Sequence, residues 1–183
     1  MKYQKTIVLK DGRECILRNA SAEDAQAVLD IFLLTHAQTD FLASYADECT
    51  FTVEGEAKFL QSQTDSDNGI EILAEIDGKV AGMAGISSVG PKSKVRHRAE
   101  FGISIDKAYW GLGIGRALTE ACIECAKAAG YAQIELSVVA DNTRAIALYE
   151  SFGFREFGRN PRGFRSRTSG WQTLIDMRLE IDE

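Results

Sequence analysis

Alternation of apolar and polar residues over the first half of the chain predicts short strands joined by tight turns. Asp-Gly pairs at positions 11–12 and 77–78 each separate two β-prone runs, which is a strong local signal for a hairpin. The predicted strands in this half span residues 6–10, 13–18, 70–76, 79–88 and 98–105. This part of the chain is therefore expected to be antiparallel in character.

Helical periodicity appears between the two hairpins. Ser21 and Asp24 have the spacing of a capping box, and Ala25, Val28 and Leu29 begin one apolar helical face. This pattern predicts a helix that fades before residues 39–40. Residues 39–52 lack a clear period, and a second helix is predicted over 53–63 with Thr52 as its N-cap.

The second half of the chain changes to alternating strands and helices. Helices are predicted over residues 114–129 and 143–152, each followed by a glycine in the position that commonly ends a helix. Strands are predicted over 132–139, from about 154, and over 171–181, with a loop over 158–170. The pattern predicts an α/β fold (α+β in some schemes): a mixed, mostly antiparallel sheet with helices on both faces.

Length and charge narrow the function classes. The chain has 183 residues, which is typical of one domain, so residues 1–183 are expected to form a single domain. The net charge of −6 makes a duplex-coating nucleic-acid binder an unfavoured class. No apolar run reaches the roughly 18 residues of a membrane span, and the start does not read as a signal peptide. We therefore expect a cytoplasmic protein with no membrane and no nucleic-acid partner.

The cysteines and histidines give weak signals for chemistry. Cys122 and Cys125 have CxxC spacing, but they share the apolar face of a helix and lie in its middle. A redox pair is expected at a helix start, so these thiols are interpreted as core residues. His36 and His97 are the only histidines and are interpreted as ordinary surface or edge residues, with a proton relay open for His97. No metal site is expected.

A glycine-rich turn, Trp110-Gly111-Leu112-Gly113-Ile114-Gly115-Arg116, lies between a predicted strand and a predicted helix. Glycines let backbone amides approach a ligand, and a helix N-terminus adds free N–H groups, so this turn predicts a phosphate site. The spacing fits neither the NTPase phosphate loop nor the dinucleotide fingerprint of a Rossmann fold. A tight turn that binds nothing is the alternative.

Two motifs together resemble those of the GCN5-related N-acetyltransferases, the GNAT superfamily. The family's acyl-CoA motif, (Gln/Arg)-x-x-Gly-x-(Gly/Ala), aligns with residues 110–115, although Trp110 departs from its first position. The second motif is an Asn, a spaced Ala, Leu-Tyr and Gly-Phe. It aligns with Asn142, Ala145, Leu148-Tyr149 and Gly153-Phe154.

The resemblance implies an acetyl-CoA cosubstrate, no metal, and a central parallel strand pair that splays open to hold the pantetheine arm. It places cofactor contacts on the strand before the turn, on the turn itself and on the following helix start. The implied cofactor-binding residues are Ile103, Ser104, Ile105, Leu112, Gly113, Ile114, Gly115, Arg116 and Asn142.

Two side chains are candidates for proton transfer. Tyr149 matches the family's general acid, against the alternative of a core tyrosine. Glu100 lies on the cleft strand, on the opposite face from Phe101, and is the candidate base, against the alternative of an exposed strand glutamate. Amine acetylation needs such groups because an alkylammonium with a pKa near ~10.4 must lose a proton before it attacks.

The acceptor is the part that the sequence leaves open. The resemblance implies that an arginine-rich loop over 158–170 borders the acceptor cleft, although a solvated loop without a role in binding is the favoured alternative. An acidic segment over 36–52 is expected to form the other side of the cleft, and the two segments suggest opposite substrate charges. The resemblance implies acetyl transfer to a primary amine of a small molecule or a protein N-terminus, by direct attack in a ternary complex. A non-catalytic acyl-CoA sensor is the alternative, and a longer acyl chain or an O-acceptor is a third possibility. A monomer or a homodimer is expected.

Overall fold

Eight strands form one sheet in this computed structural model, which describes residues 1–181. The strands are β1 (Gln4–Val8), β2 (Glu14–Asn19), β3 (Ile70–Ile76), β4 (Lys79–Ser88), β5 (Arg98–Ile105), β6 (Gln133–Val139), β7 (Arg155–Ser166) and β8 (Gly170–Glu180). Their order across the sheet is β1-β2-β3-β4-β5-β6-β8-β7. Only β5 and β6 pair in parallel, so the expected mixed and mostly antiparallel α/β fold is confirmed.

Four α-helices accompany the sheet: α1 (Ala25–Gln38), α2 (Val53–Asp65), α3 (Ile114–Ala128) and α4 (Thr143–Ser151). Short 3-10 turns precede α1 and α3 and lie between α1 and α2. Ser21 donates its backbone N–H to Asp24 Oδ2 at 2.8 Å, but the turn it caps is 3-10 before α1 begins. Within residues 1–181 no helix has the length and apolarity to cross a membrane.

The β5–β6 pair opens into a cleft partway along its length. Paired positions run only from Arg98 with Gln133 to Glu100 with Glu135, although both strands continue beyond them. Residues 101–105 of β5 and 136–139 of β6 therefore diverge without a ladder between them. The splay expected at the central parallel pair is present.

Two apolar clusters, one larger and one smaller, bury parts of the sheet and its helices. The larger one joins α3 to the sheet and includes Leu118, Ile134 and Met177, each at most 1% exposed. The smaller one includes Leu60 of α2 and Leu73 of β3, both fully buried. Burial of such side chains contributes roughly 1.5–3 kcal/mol each, so the sheet is a rigid base for the cleft.

One predicted segment is wrong. Residues 158–170 were expected as a loop, but β7 runs through them to Ser166 and pairs with β8, which leaves only a short turn at 167–169. Register shifts at 156–158 and 160–164 accommodate Gly158, Pro161 and Gly163 in this edge strand. Proline is tolerated there because an edge position or a bulge needs no N–H donor. The remaining predicted elements are present with ends displaced by a few residues at most.

Candidate active site

A cavity of about 860 Å³ occupies the cleft between β5, the glycine-rich turn and α4. All the predicted cofactor-binding residues except Leu112 line it. They are Ile103, Ser104, Ile105, Gly113, Ile114, Gly115, Arg116 and Asn142. Leu112 lies in the same turn, and its carbonyl accepts a hydrogen bond from the Lys10 N–H at 3.1 Å. Residues predicted from separate motifs therefore converge on one cavity, which we call the first cavity.

The backbone of β5 presents unpaired polar groups to the first cavity. Asp106 donates its N–H to the Ala81 carbonyl, which fixes the alternation of the antiparallel β4–β5 ladder. Phe101, Ile103 and Ile105 consequently direct their N–H and C=O groups away from β4, toward the side where β6 has diverged. A ligand can pair with this edge as an added strand would.

Ser104 and Ile105 differ from Ile103 in which of their polar groups are free to bind a ligand. Ser104 turns its backbone toward β4, and its Oγ is buried without a hydrogen-bond partner among the described residues. The Ile105 carbonyl already accepts a hydrogen bond from Trp110 Nε1 at 2.8 Å. The Phe101 N–H is used in the last β5–β6 pairing, at Glu100 with Glu135, so the N–H groups of Ile103 and Ile105 are the donors that remain for a ligand at the cleft.

The glycine-rich turn is shaped by backbone conformation. Gly111 and Gly113 have φ values of 86° and 103°, which residues with a Cβ adopt only under strain. This turn leads directly into α3, whose first N–H groups have no partner within the helix. A Cβ on Gly115 would press on Leu148 at 3.3 Å and Ile105 at 3.4 Å. The turn thus brings free amides and a positive helix end to the cavity, which suits a pyrophosphate.

Three cationic side chains line the first cavity: Lys10, Arg116 and Arg144. Arg116 Nη2 donates to Ser151 Oγ at 2.9 Å. The sequence analysis missed Lys10 and Arg144. The Arg144 guanidinium lies 5.4 Å from the ring centroid of Trp110, so the residue that departs from the family motif positions an arginine beside the turn. These cations fit the anionic phosphates of acetyl-CoA.

Asn142 and Tyr149 connect α4 to the same cavity. Asn142 is the N-cap of α4, and its Oδ1 accepts the Ala145 N–H at 3.3 Å. Tyr149 is 6% exposed, and its ring packs edge-on against Phe101 with centroids 6.0 Å apart. Among residues 1–181 its hydroxyl has no hydrogen-bond partner, and burial raises the pKa of Tyr149 to about 12. The phenol therefore stays protonated over the neutral range.

Glu100 lies on the other side of β5, in a second cavity of about 430 Å³. Residues 101–104 line both cavities, so the splayed edge of β5 is the partition between them. Glu100 is exposed and sits where the parallel pairing with β6 ends. The structure thus places Tyr149 and Glu100 in separate cavities on opposite sides of the same strand.

Glu71 is a residue of the second cavity that the sequence analysis missed. Its carboxyl lies over Gly85, where a Cβ would collide with Glu71 Oε2, and it has no ion-pair partner in the described chain. Burial, together with the nearby charge of Glu56 on α2, raises the pKa of Glu71 to about 8. In the sequence of β3, Glu71 and Glu75 alternate with apolar residues, which is the pattern of a solvent-facing side of a strand.

His36 also lines the second cavity, so it is not an ordinary surface residue. Its ring stacks on Phe32 with centroids 3.7 Å apart, and Nδ1 lies 2.7 Å from the Phe32 carbonyl. Because a carbonyl only accepts, Nδ1 carries the proton and Nε2 is left as an acceptor. Burial lowers the pKa of His36, which favours this neutral form. His97 is exposed at the start of β5.

Replacing Glu71 by Gln is expected to remove a pH dependence of stability. The folded-state pKa is about 8 and its usual value is 4.5, so the folded protein holds the extra proton between these limits. The contribution of Glu71 to the free energy of unfolding of the wild type is therefore fully present below about pH 4.5 and is lost as the pH rises toward 8. The side chains facing it, Glu56, His36 and Glu100, supply no cation to offset this loss.

Urea unfolding at several pH values measures this effect. Glu71→Gln should gain roughly 3 to 4 kcal/mol in free energy of unfolding relative to wild type between pH 5 and 8. The exposed Glu54→Gln on α2 is the control and should give no such trend. Parallel stability curves for Glu71→Gln and wild type would contradict the burial of an ionisable carboxyl at this position.

The arginine-rich segment 158–170 and the acidic segment 36–52, which suggested opposite substrate charges, contact each other. Arg167 forms ion pairs with Asp47 and Glu48, and Asp40 accepts hydrogen bonds from Ser166 at 2.6 Å and Ser169 at 2.9 Å. Arg162 and Arg165 each lie 5.4 Å from the ring centroid of Trp171. The acids of segment 36–52 are therefore largely satisfied within the protein.

Cys122 and Cys125 are 0% and 4% exposed in the larger core cluster, which confirms their interpretation as core residues. Burial raises the pKa of both thiols. Across residues 1–181, His, Cys, Asp and Glu side chains form no group of three or more that is arranged to hold a metal ion.

The fold is shared with solved acetyltransferases. A GNAT-family acetyltransferase from Streptococcus pneumoniae superposes with a TM-score of 0.87 at 32% identity, over 91% of this chain and 99% of that one. The yncA protein of Salmonella typhimurium, whose structure contains its cofactor acetyl-CoA, superposes with a TM-score of 0.79 at 22% identity, over 91% and 94% of the two chains.

Sequence comparison gives the same family. The L-amino acid N-acetyltransferase AaaT of Escherichia coli is 30% identical over 77% of this chain and 83% of its own length. The E. coli [Ribosomal protein bS18]-alanine N-acetyltransferase is 42% identical over 44% of this chain, a match that spans about half of that protein (54%). The profile described as "Acetyltransferase (GNAT) family" matches residues 33–154. The chain therefore belongs to the GNAT family of acetyltransferases.

Proposed function

We propose that this protein transfers the acetyl group of acetyl-CoA to a primary amine by direct attack in a ternary complex. The observation that carries the proposal is the unpaired edge of β5, which separates a cation-lined cavity from an acidic one. An anionic cofactor suits the first cavity and an ammonium-bearing acceptor suits the second. The proposal treats residues 1–183 as one domain that carries both halves of the site.

The first cavity has groups for each part of acetyl-CoA. The amides at the start of α3, with Arg116, Arg144 and Lys10, would bind the phosphates. Ile103 and Ile105 would pair with the pantetheine arm through their backbone. The thioester supplies an activated acetyl group when acetyl-CoA is bound.

Proton transfer is assigned to groups on both sides of β5. The amine nitrogen forms a bond to the acetyl carbon as the carbon–sulfur bond breaks. Glu100 takes the proton that the ammonium loses, directly or through water. Tyr149 gives a proton to the departing sulfur and regains one when the attacking nitrogen loses its second proton. The free N–H group of Ile103 is positioned to bind the thioester carbonyl oxygen. Acetylated amine, CoA and one released proton balance the reaction.

CoA release from acetyl-CoA across a panel of amines tests this function. The panel contains polyamines, aminoglycosides, amino acids and peptides with free N-termini, and acetyl-CoA binding is measured separately by calorimetry. A protein blank is needed because a thiol reagent also detects the four cysteines. Acetyl-CoA binding with CoA release for one class of amine is the expected result.

A non-catalytic acyl-CoA sensor is the competing function. It predicts acetyl-CoA binding without release for any amine in the panel, and that outcome would overturn the proposed transfer. Absence of acetyl-CoA binding would overturn both functions. A cation-lined cavity alone fits a sensor, but the acidic second cavity across β5 favours an amine acceptor.

A further inference from the structure

We propose that the second cavity selects a short diamine, with the reacting amine at the edge of β5 and the distal ammonium at Glu71. An acceptor that carries a carboxylate in place of the distal ammonium would be excluded. The inference rests on the proposed function, because it names the class of amine that the same site acetylates.

The polar side chains that line the second cavity are rich in hydrogen-bond acceptors and poor in cations. Glu100 contributes a carboxylate, neutral His36 contributes Nε2, and Glu71 contributes a carboxyl group that an ammonium in the cavity would hold in its ionised form. None of its described lining residues is lysine or arginine, and neither carboxylate forms an ion pair within residues 1–181. The first cavity, in contrast, has three cations in its lining. The acidic lining of the second cavity therefore favours a cationic ligand.

Unpartnered buried atoms give an independent indication of a ligand. Within residues 1–181, only two buried side-chain oxygens or nitrogens lack a hydrogen-bond partner: Gln63 Oε1 and Ser104 Oγ. Both side chains line the second cavity. A buried polar atom without a partner is unfavourable, so a donor-bearing ligand that reached these oxygens would be stabilised by them.

Strand register sets the distance between the two ends of the acceptor. Glu71 pairs with Gly85, and Gly85 pairs with Gly102, so the three residues form a row across β3, β4 and β5. The Glu71 carboxyl reaches over Gly85, about one strand spacing, ~4.8 Å, from the reacting edge of β5. Because Gly85 and Gly102 have no side chains, nothing on β4 or β5 in this row blocks the space between the Glu71 carboxyl and the edge of β5. A short chain joining two amines fits this span.

The remaining walls suit the carbon chain of such an acceptor. Phe32 and Phe59 line the cavity together with Leu42 and Met83. Aromatic faces also attract an ammonium that passes over them. Apolar walls between two carboxylates favour methylene groups between two cations.

Three amines of similar size separate the contribution of the distal group: putrescine, butylamine and γ-aminobutyrate. They present a distal ammonium, a methyl group and a carboxylate, respectively. We expect kcat/KM to decrease in that order, with putrescine about 10- to 100-fold above butylamine, since a hydrogen bond to a charged group contributes that much. Calorimetric titration of putrescine in the presence of CoA gives a readout that does not depend on turnover.

Glu71→Gln is the test variant, and the same substitution at the exposed Glu54, outside both cavities, is its control. Glu71→Gln should lower the putrescine-to-butylamine ratio of kcat/KM by about 10- to 100-fold and weaken putrescine binding by a similar factor. Glu54→Gln should leave the ratio and the binding unchanged.

The two proposals fail in different ways. Putrescine binding that depends on Glu71 without CoA release would support the diamine site and overturn acetyl transfer. CoA release for butylamine or γ-aminobutyrate at the rate for putrescine, or an unchanged ratio in Glu71→Gln, would overturn the diamine site and leave acetyl transfer standing. If putrescine does not bind and no amine gives CoA release, both the diamine site and acetyl transfer are overturned.

Discussion

Tyr149→Phe is expected to lower kcat by roughly 100- to 1,000-fold, the contribution of a positioned general acid. The hydroxyl reaches the first cavity from α4, and the raised pKa, about 12, keeps its proton available at neutral pH. Phenylalanine retains the ring that packs against Phe101 and Phe154, so the fold should tolerate the change. Steady-state kinetics at saturating acetyl-CoA measure the loss, and calorimetry checks that acetyl-CoA still binds.

Tyr131→Phe is a matched control for this loss. Tyr131 is 4% exposed, and its hydroxyl donates to the Asn68 carbonyl at 2.7 Å outside both cavities. Its replacement should cost about 1 kcal/mol of stability and leave kcat unchanged. A wild-type kcat for Tyr149→Phe, or a loss confined to the KM for acetyl-CoA, would show that Tyr149 serves only as a packing residue.

The cofactor half of the site could be predicted because its determinants are local in sequence. The glycine-rich turn, the start of α3 and the N-terminal end of α4 lie within about forty residues, and each depends on backbone rules that a sequence displays. Asp77 and Gly78 illustrate this, since both adopt the positive φ that an Asp-Gly hairpin turn requires. The strands on either side of that turn have the predicted limits.

The acceptor half could not be predicted because strand order and register bring its residues together. Glu71 is 29 positions before Glu100, and they meet only because β3, β4 and β5 are consecutive in the sheet. Glu71 and Glu75 alternate with apolar residues in β3 and so predict a solvent-facing side of the strand, whereas α2 packs against β3 near Glu71. His36 and Gln63 come from two different helices, so no spacing rule links them.

Edge strand β7 was missed for a different reason. It is polar and mostly exposed, with Gly158, Pro161 and Gly163 in its length, and such a composition is typical of a loop. Its strand conformation is set by pairing with β8, which carries the apolar alternation. The arginines placed on this segment then bind the acids of the facing wall. Neither charged segment could therefore identify the acceptor.

Glu100→Gln is expected to lower kcat by roughly 100-fold for putrescine and butylamine alike, and so leave their ratio unchanged. The reason is that Glu100, as the proposed base, would accept the proton that every ammonium must lose, whatever its distal group. Without this base, turnover depends on the small fraction of amine that is already neutral. The variant's rate should then rise steeply from pH 7 to 9, since alkylammonium groups lose their protons near ~10.4.

Comparison of Glu100→Gln with Glu71→Gln separates proton removal from acceptor recognition. Both carboxylates line the second cavity, but Glu100 is on the splayed strand itself and Glu71 is two strands away. Acetyl-CoA binding should be unchanged in Glu100→Gln, because this side chain faces away from the first cavity. Turnover equal to wild type at every pH would assign no proton transfer to Glu100. A changed putrescine-to-butylamine ratio would instead make it a second recognition group for the acceptor.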